Sequence, residues 1–314
     1  GEKLESMQTI LGAGGAIGNE LAKALTTYTT DIRLVSRNPT KVNPTDTLVK
    51  ADVLNEQQLK NAVGGSSVVY VTVGFPYDIK IWRKSWPPFI ANILSLCKKE
   101  KAKLVFFDNV YMYDKNHLNP MDEATPSHPA SKKGRVRQEV EKMILDAARA
   151  GEVQALIARS ADYYGPGADR NSVLYQTIIK PLSQGKKAIV LGGDDFRHSY
   201  TYTPDAGKAT AILGNTDEAY GQVWHLPTAH NPPTAKQWVE YFAKGFGVEP
   251  KYRVISTGML KLIGMFSSQM REIAEMNYQN DRDYVFDSSK FEREFDFAPT
   301  PYQVGIEEIV GRKT

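Results

Sequence analysis

The stretch that decides the fold is Gln8-Thr9-Ile10-Leu11-Gly12-Ala13-Gly14-Gly15-Ala16-Ile17-Gly18. A short strand-forming run enters a glycine turn, and the turn opens an amphipathic segment from Ile17 to Thr27. Only glycine lets a backbone turn this tightly and lie against a phosphate, while the amides of a helix N-terminus supply donors and partial positive charge. The spacing Gly12, Gly15, Gly18 is GxxGxxG, a variant of the dinucleotide fingerprint, with strand before and helix after as a βαβ unit requires. Gly12, Gly15, Ala16, Ile17 and Gly18 are therefore the candidate pyrophosphate site. A glycine-rich loop without a ligand is the alternative reading.

Working outward, the same rhythm continues. Further strands are expected at Ile32–Ser36, Leu48–Ala51, Val68–Val73, Leu104–Phe107 and Ala155–Ala158, with helices at Glu56–Val63, Pro88–Lys99 and Lys133–Ala150 between them. Asn55 with Gln58 has the form of a capping box. Alternation at this spacing implies right-handed crossovers and a doubly wound parallel sheet, an α/β Rossmann fold whose inner strands are buried on both faces. After Tyr163-Tyr164-Gly165-Pro166-Gly167 the rhythm breaks. Residues 7–165 are expected to form the NAD(P)-binding domain and residues 166–314 a smaller, irregular substrate lobe, part of it returning to the sheet. Helices are expected there at Ala235–Phe246 and Met259–Asn277, and a loop at Asp194–His198.

The end of the second strand bears on the choice of dinucleotide. An NAD enzyme usually presents Asp or Glu there, about 18 residues past the last glycine, to take the ribose 2′-hydroxyl. Here Ser36 and Arg37 stand at that place. A hydroxyl and a cation suit a 2′-phosphate, so NADP is expected in preference to NAD, with Arg37 as a solvated turn residue the alternative.

Composition excludes several classes. Thirty-nine Lys and Arg against 36 Asp and Glu leave a formal charge of +3 in 314 residues, which gives no electrostatic reason to expect nucleic acid or an anionic membrane. No apolar run approaches a membrane span. The single cysteine, Cys97, lies in an apolar helical stretch and reads as a buried hydrophobe. None of His117, His128, His198, His225 and His230 has zinc-motif spacing, so no metal is expected, and no GxSxG elbow occurs. A cytoplasmic monomer or homodimer acting on a small molecule is the expectation.

With these residues on the page, the chain resembles the short-chain dehydrogenase/reductase superfamily, in its extended and atypical form related to NAD-dependent epimerases and dehydratases. Besides the glycine turn, Ala51-Asp52-Val53 is similar to the segment bordering the adenine, and Val71-Thr72-Val73-Gly74 to the strand end passing the ribose. Arg159-Ser160-Ala161-Asp162-Tyr163-Tyr164-Gly165-Pro166-Gly167 and Tyr202-Thr203-Pro204-Asp205-Ala206 resemble two later elements of the family. The resemblance adds Asp52, Val53, Thr72, Val73 and Gly74 to the expected cofactor contacts.

The family implies a Ser, Tyr and Lys acting together, with the tyrosine as acid/base. Asn109 stands where that serine falls, and Tyr113 matches the tyrosine of the family's Tyr-Gly pair. The segment where YxxxK is expected, Ser127 to Arg137, holds Lys132 and Lys133 and no tyrosine; Tyr111-Met112-Tyr113-Asp114-Lys115 fits the spacing, but in a loop. Asn109 and Tyr113 are the leading catalytic candidates, with Lys132 or Lys133 lowering the tyrosine's pKa and Lys133 reaching a ribose or the cofactor amide. Tyr113 serving only to pack is the alternative. Trp82, Trp86, Tyr77 and Phe89 are candidates for the substrate side or for core. Two functions follow: an NADP-preferring oxidoreductase or epimerase/dehydratase, or a non-catalytic NADP-binding or redox-sensing protein.

Overall fold

The structure, a computed structural model, describes residues 6–313. Six strands alternate with helices in the first half: β1 (Gln8–Leu11), α1 (Ala16–Leu25), β2 (Ile32–Ser36), β3 (Thr47–Lys50), α2 (Glu56–Val63), β4 (Val68–Val71), α3 (Ile79–Glu100), β5 (Lys103–Asp108), α4 (Lys132–Arg149) and β6 (Ala155–Arg159). The second half carries β7 (Tyr163–Tyr164), α5 (Lys180–Ser183), β8 (Ala188–Leu191), β9 (Thr201–Tyr202), α6 (Thr203–Gly214), β10 (Val223–His225) and α7 (Ala235–Phe246). Then follow β11 (Tyr252–Ile255), α8 (Thr257–Gly264), α9 (Ser268–Glu275), α10 (Ser289–Phe295) and α11 (Tyr302–Lys313).

Seven strands form one parallel sheet in the order β10-β6-β5-β4-β1-β2-β3. Chain order reverses between β1 and β4, the place where sheets of this kind open a ligand crevice at their carboxyl ends. The doubly wound α/β sheet read from the sequence is the observed fold. On one face Val35, Val69, Phe106 and Ile157 pack against α2, α3 and α4; on the other Ile10, Leu34, Tyr70 and Leu156 pack against α1 and α6. Gly207 permits that second contact, because a Cβ there would fall 2.5 Å from the Glu20 backbone. The second half thus returns α6 and β10 to the sheet, and builds its own core around Trp238, Phe242 and Ile306. Residues just past β5 meet Tyr278, Tyr284 and Phe286 in a further cluster.

Four local expectations are corrected. Helix α3 begins at Ile79, with the Asp78 carboxylate capping the amides of Lys80 and Ile81, and runs through Pro87 and Pro88. Proline opposes a helix interior, but Trp82, Trp86, Phe89, Ile93 and Cys97 form one buried stripe whose burial outweighs that cost. Strand β4 stops at Val71, two residues early. Asn55 caps Gln58 as expected, but the Gln58 side chain accepts from the Asp52 amide at 2.8 Å instead of closing a capping box. The segment 259–277 is two helices, because the Ser267 hydroxyl accepts from Met270 N–H and starts a new one.

Candidate active site

The glycine turn leaves β1 with Gly12 at φ +90° and Gly14 at φ +95°, conformations open to glycine. A Cβ on Gly12 would fall 2.6 Å from the Thr72 carbonyl oxygen, so the turn sits directly against the end of β4. Thr72 fastens this junction by donating its hydroxyl to Leu11 O at 2.8 Å. Gly15 caps α1 without a side-chain hydrogen bond, and the first turn holds no acidic residue. Amides left without a side-chain cap at an exposed glycine turn suit an anionic pyrophosphate. The residues present fit a dinucleotide.

Ser36 ends β2 beside Lys50 of β3. Arg37 is exposed and makes no ion pair among the described residues, which leaves its guanidinium open to an anion. Asp52 and Val53 follow β3 half-buried, with the Asp52 carboxylate accepting from Leu54 N–H. Thr72 and Val73 are half-buried and Gly74 is exposed, all just past β4. Gly12, Gly15, Ala16, Ile17 and Gly18, with these residues, therefore gather along the carboxyl ends of β1, β2, β3 and β4.

The segment after β5 separates the catalytic candidates. Asn109 accepts from Tyr111 N–H at 3.0 Å through its carboxamide oxygen, so its NH2 group is what it offers outward. Tyr113 is 0% exposed. Its neighbour His225 lies 3.1 Å or less from three groups: Tyr113 Oη at 2.5 Å, Asp287 O at 2.8 Å and, through its own amide, Glu123. A carbonyl can only accept, so Nδ1 carries the imidazole proton; Nε2 accepts from the Tyr113 hydroxyl, which in turn accepts from Arg159 at 2.7 Å. Arg159 is clamped by the Glu141 carboxylate. Burial pushes the Tyr113 phenol above its ordinary range, against the pull of Arg159. The tyrosine expected to meet a substrate oxygen is instead a core residue with its hydroxyl fully engaged, and no lysine lowers its pKa.

Lys133, at the start of α4, is 0% exposed. Its ammonium pairs with Glu272 and Glu275 of α9 and lies 4.4 Å above the Tyr77 ring, so it is committed to these partners and does not meet Tyr113. Lys132, exposed on the next position, donates its amide to Glu275. Arg137, one turn on, is buried against Trp86 at 4.3 Å and donates to Asp108 at 2.7 Å. Trp82, Trp86 and Phe89 are core. Burial also pushes the Cys97 thiol up to about 12, as a buried hydrophobe requires.

Tyr77, a substrate-side candidate of the sequence, lies beside two residues that were not singled out, Tyr111 and Asp162. Tyr111, three residues past β5, stacks on Trp82 at 13° and places its hydroxyl 3.2 Å from that of Tyr77. Burial raises its phenol, and the nearby charge of Asp162 adds to the effect. Asp162, past β6, accepts from His198 Nε2 at 2.8 Å while its side chain stays 32% exposed. The literal YxxxK match at Tyr111 was the one signal for the first; Asp162 lay in the quoted Arg159–Gly167 element. A separate cavity of about 170 Å³ lies between Gly165–Ala168 and α11, with Tyr175, Glu308 and Arg312 in its wall. None of its lining comes from the strand ends that build the cleft.

This geometry agrees with what the chain is similar to. The profile of the NAD dependent epimerase/dehydratase family matches residues 9–225. The chain belongs to that family. Among solved structures, a dTDP-glucose 4,6-dehydratase from Streptomyces venezuelae with NAD bound superposes with a TM-score of 0.79 at 14% identity, over 97% of this chain and 95% of that one. The epimerase Mth375 from Methanothermobacter thermautotrophicus gives 0.81 at 13% identity, over 98% and 92%. At such identities the likeness is one of fold. In sequence, a 2′-dehydrokanamycin reductase from Streptomyces kanamyceticus is 30% identical over 127 residues, a match spanning 40% of this chain and 35% of that protein. No helix among the described residues is long and apolar enough to cross a membrane.

Proposed function

We propose that this protein is an NADP-preferring reductase of a small carbonyl compound, bound in the cleft between the sheet's carboxyl edge and the second-half lobe. The observation that carries the reading is the Tyr77–Tyr111 hydroxyl pair beside the ends of β4 and β5. Gly12, Gly15 and Gly18 would hold the dinucleotide by its pyrophosphate, and in its reduced form it would supply a hydride to the carbonyl carbon. The oxygen that gains charge needs a proton, and Tyr111 is placed to donate it. Burial keeps this phenol protonated, which suits an acid serving a strongly basic alkoxide and disfavours the base that carbinol oxidation needs. Asn109, through its NH2 group, holds the same oxygen; solvent returns the proton to Tyr111. The family relation and the reductase relative support this direction. Ser36 and Arg37 support NADP over NAD.

The test is NADPH oxidation with a panel of aldehydes and ketones, for the unmodified protein and for Tyr111→Phe. Loss of a general acid costs about 100-fold or more in turnover, with NADPH affinity retained. Equal turnover by Tyr111→Phe removes it from the mechanism. Tight NADPH binding with no turnover of any carbonyl favours the alternative, a non-catalytic NADP-binding protein.

A further inference from the structure

The charge of the whole chain is nearly balanced, but one face combines exposed apolar side chains with cations. Helix α8 packs inward through Leu260 and Gly264, and a Cβ on Gly264 would fall 3.0 Å from Arg271 Cα of α9. At about 3.6 residues per turn, Met259, Leu262 and Phe266 project from the opposite side. There Met259 is 50%, Leu262 53%, Met265 69% and Phe266 85% exposed. Met265 and Phe266 stand between the end of α8 and Ser267, which caps α9, so they form the tip of a helical hairpin. Arg271 closes the hairpin by donating from Nε to Gly264 O at 3.0 Å. Single apolar residues on a surface need no explanation, but a cluster on one outward face does.

From Ser256 to Arg271 the chain carries Lys261 and Arg271, both exposed, and no Asp or Glu. The acids that follow are engaged elsewhere. Glu272 and Glu275 both pair with the buried Lys133 ammonium, and Asp281 accepts from Arg282 and from the Thr257 hydroxyl. Glu272 also accepts from the Ile79 amide at 3.1 Å, which sets the first turn of α3 against α9. That turn adds exposed Lys80, Arg83 and Lys84 and exposed Ile81, while the carboxylate of Asp78 caps its own helix.

Protruding apolar side chains flanked by cations fit the surface of an anionic bilayer. The apolar groups enter the acyl boundary, and Lys and Arg reach the headgroup phosphates. A fluid surface deforms around a protruding phenylalanine, whereas a folded partner must supply a pocket for it. A second copy of this chain is opposed by the charges. A two-fold contact sets the face against itself, and a hairpin without free carboxylates gives its cations only each other to meet.

We propose that the α8–α9 face is a docking surface for an anionic phospholipid bilayer, with Met265 and Phe266 inserted and Lys261 at the headgroups. Docking of this kind does not depend on which reaction the cleft performs.

Vesicle co-sedimentation tests it. Vesicles of about 30% phosphatidylserine in phosphatidylcholine, at roughly 0.1 M salt, should retain the protein about tenfold or more above pure phosphatidylcholine. Raising salt to about 1 M should remove most of that preference. Met265→Ser combined with Phe266→Ser should weaken retention by the anionic vesicles about tenfold, and Lys261→Gln alone about fivefold. These side chains are exposed, so circular dichroism and the unfolding midpoint should not move. Should the double variant shift the midpoint, Lys261→Gln and the salt series decide alone. No retention by anionic vesicles overturns the proposal, as does equal retention by neutral ones or retention that the substitutions leave unchanged. Sedimentation velocity addresses the competing occupant. A dimer that the double variant converts to monomer assigns the face to a second copy and overturns the lipid assignment.

Discussion

Arg37 illustrates how a single exposed side chain can select a cofactor. It stands just past β2 with no ion-pair partner among the described residues to release before binding an anion, so a 2′-phosphate gains a charge-assisted contact at little cost. Because the site is open to solvent, the contact should be worth about 1.5 kcal/mol, roughly tenfold in affinity. Arg37→Ala should therefore weaken NADPH about tenfold and leave NADH nearly untouched, as read by fluorescence titration. Equal affinity of the unmodified protein for the two would defeat the NADP assignment. The two tyrosines after β5 make the complementary case. Tyr113→Phe leaves Arg159 and His225 each short of a buried partner, at a cost of about 1–3 kcal/mol in stability by chemical denaturation. Its turnover should fall far less than that of Tyr111→Phe; the reverse ranking would return Tyr113 to the chemistry.

At the scale of elements, the β1–α1 turn separates two kinds of glycine. Gly15 has an ordinary φ of −75°, and a Cβ there would meet only the Gly12 carbonyl oxygen, at 3.6 Å. Gly15→Val should fold and lose dinucleotide binding, because its side chain enters the phosphate's space. Gly12→Val should instead lose stability as well, since its Cβ collides with the backbone of Thr72. Equal melting temperatures for the two variants would contradict this division. The same elements show what the sequence could reveal. The inner strands were legible because runs such as Val68-Val69-Tyr70-Val71 are apolar on both faces, and the glycine turn because its backbone demands leave few other residues possible. The start of α3 was not, since Pro87 and Pro88 argue locally for a start that tertiary burial moves nine residues upstream. Nor was the choice between Tyr111 and Tyr113. Past the end of a strand no periodicity assigns a face, and the groups that claim the Tyr113 hydroxyl, Arg159 and His225, lie 46 and 112 residues away.

For the whole molecule, His225 links the sheet to acid stability. Burial holds its imidazole well below its ordinary pKa, with Arg159 adding to the effect. Above the unfolded value of about 6.5 both states are neutral and the group contributes no pH dependence. Below it the unfolded chain binds a proton that the folded chain refuses, so stability falls as pH falls, by at most about 1.4 kcal/mol per pH unit from this residue. Chemical denaturation of the unmodified protein and of His225→Gln between pH 5 and 8 should show the stability difference shifting towards the variant as pH drops. A pH-independent difference would show that His225 does not titrate on unfolding.

The return of α6 and β10 to the sheet has a consequence for how such a molecule can diversify. After β6 the chain leaves the sheet, comes back to cover α1 and add a seventh strand, and leaves again. A cut near residue 165 would strip β6 of its neighbour and uncover the apolar side of α1, so the substrate half cannot be exchanged as a detachable cassette. The excursion between β6 and α6 nevertheless begins and ends on the same rigid frame, and the one after β10 begins on it. New specificities can therefore arise by lengthening or rewriting one excursion at a time, while the frame that holds the dinucleotide stays intact.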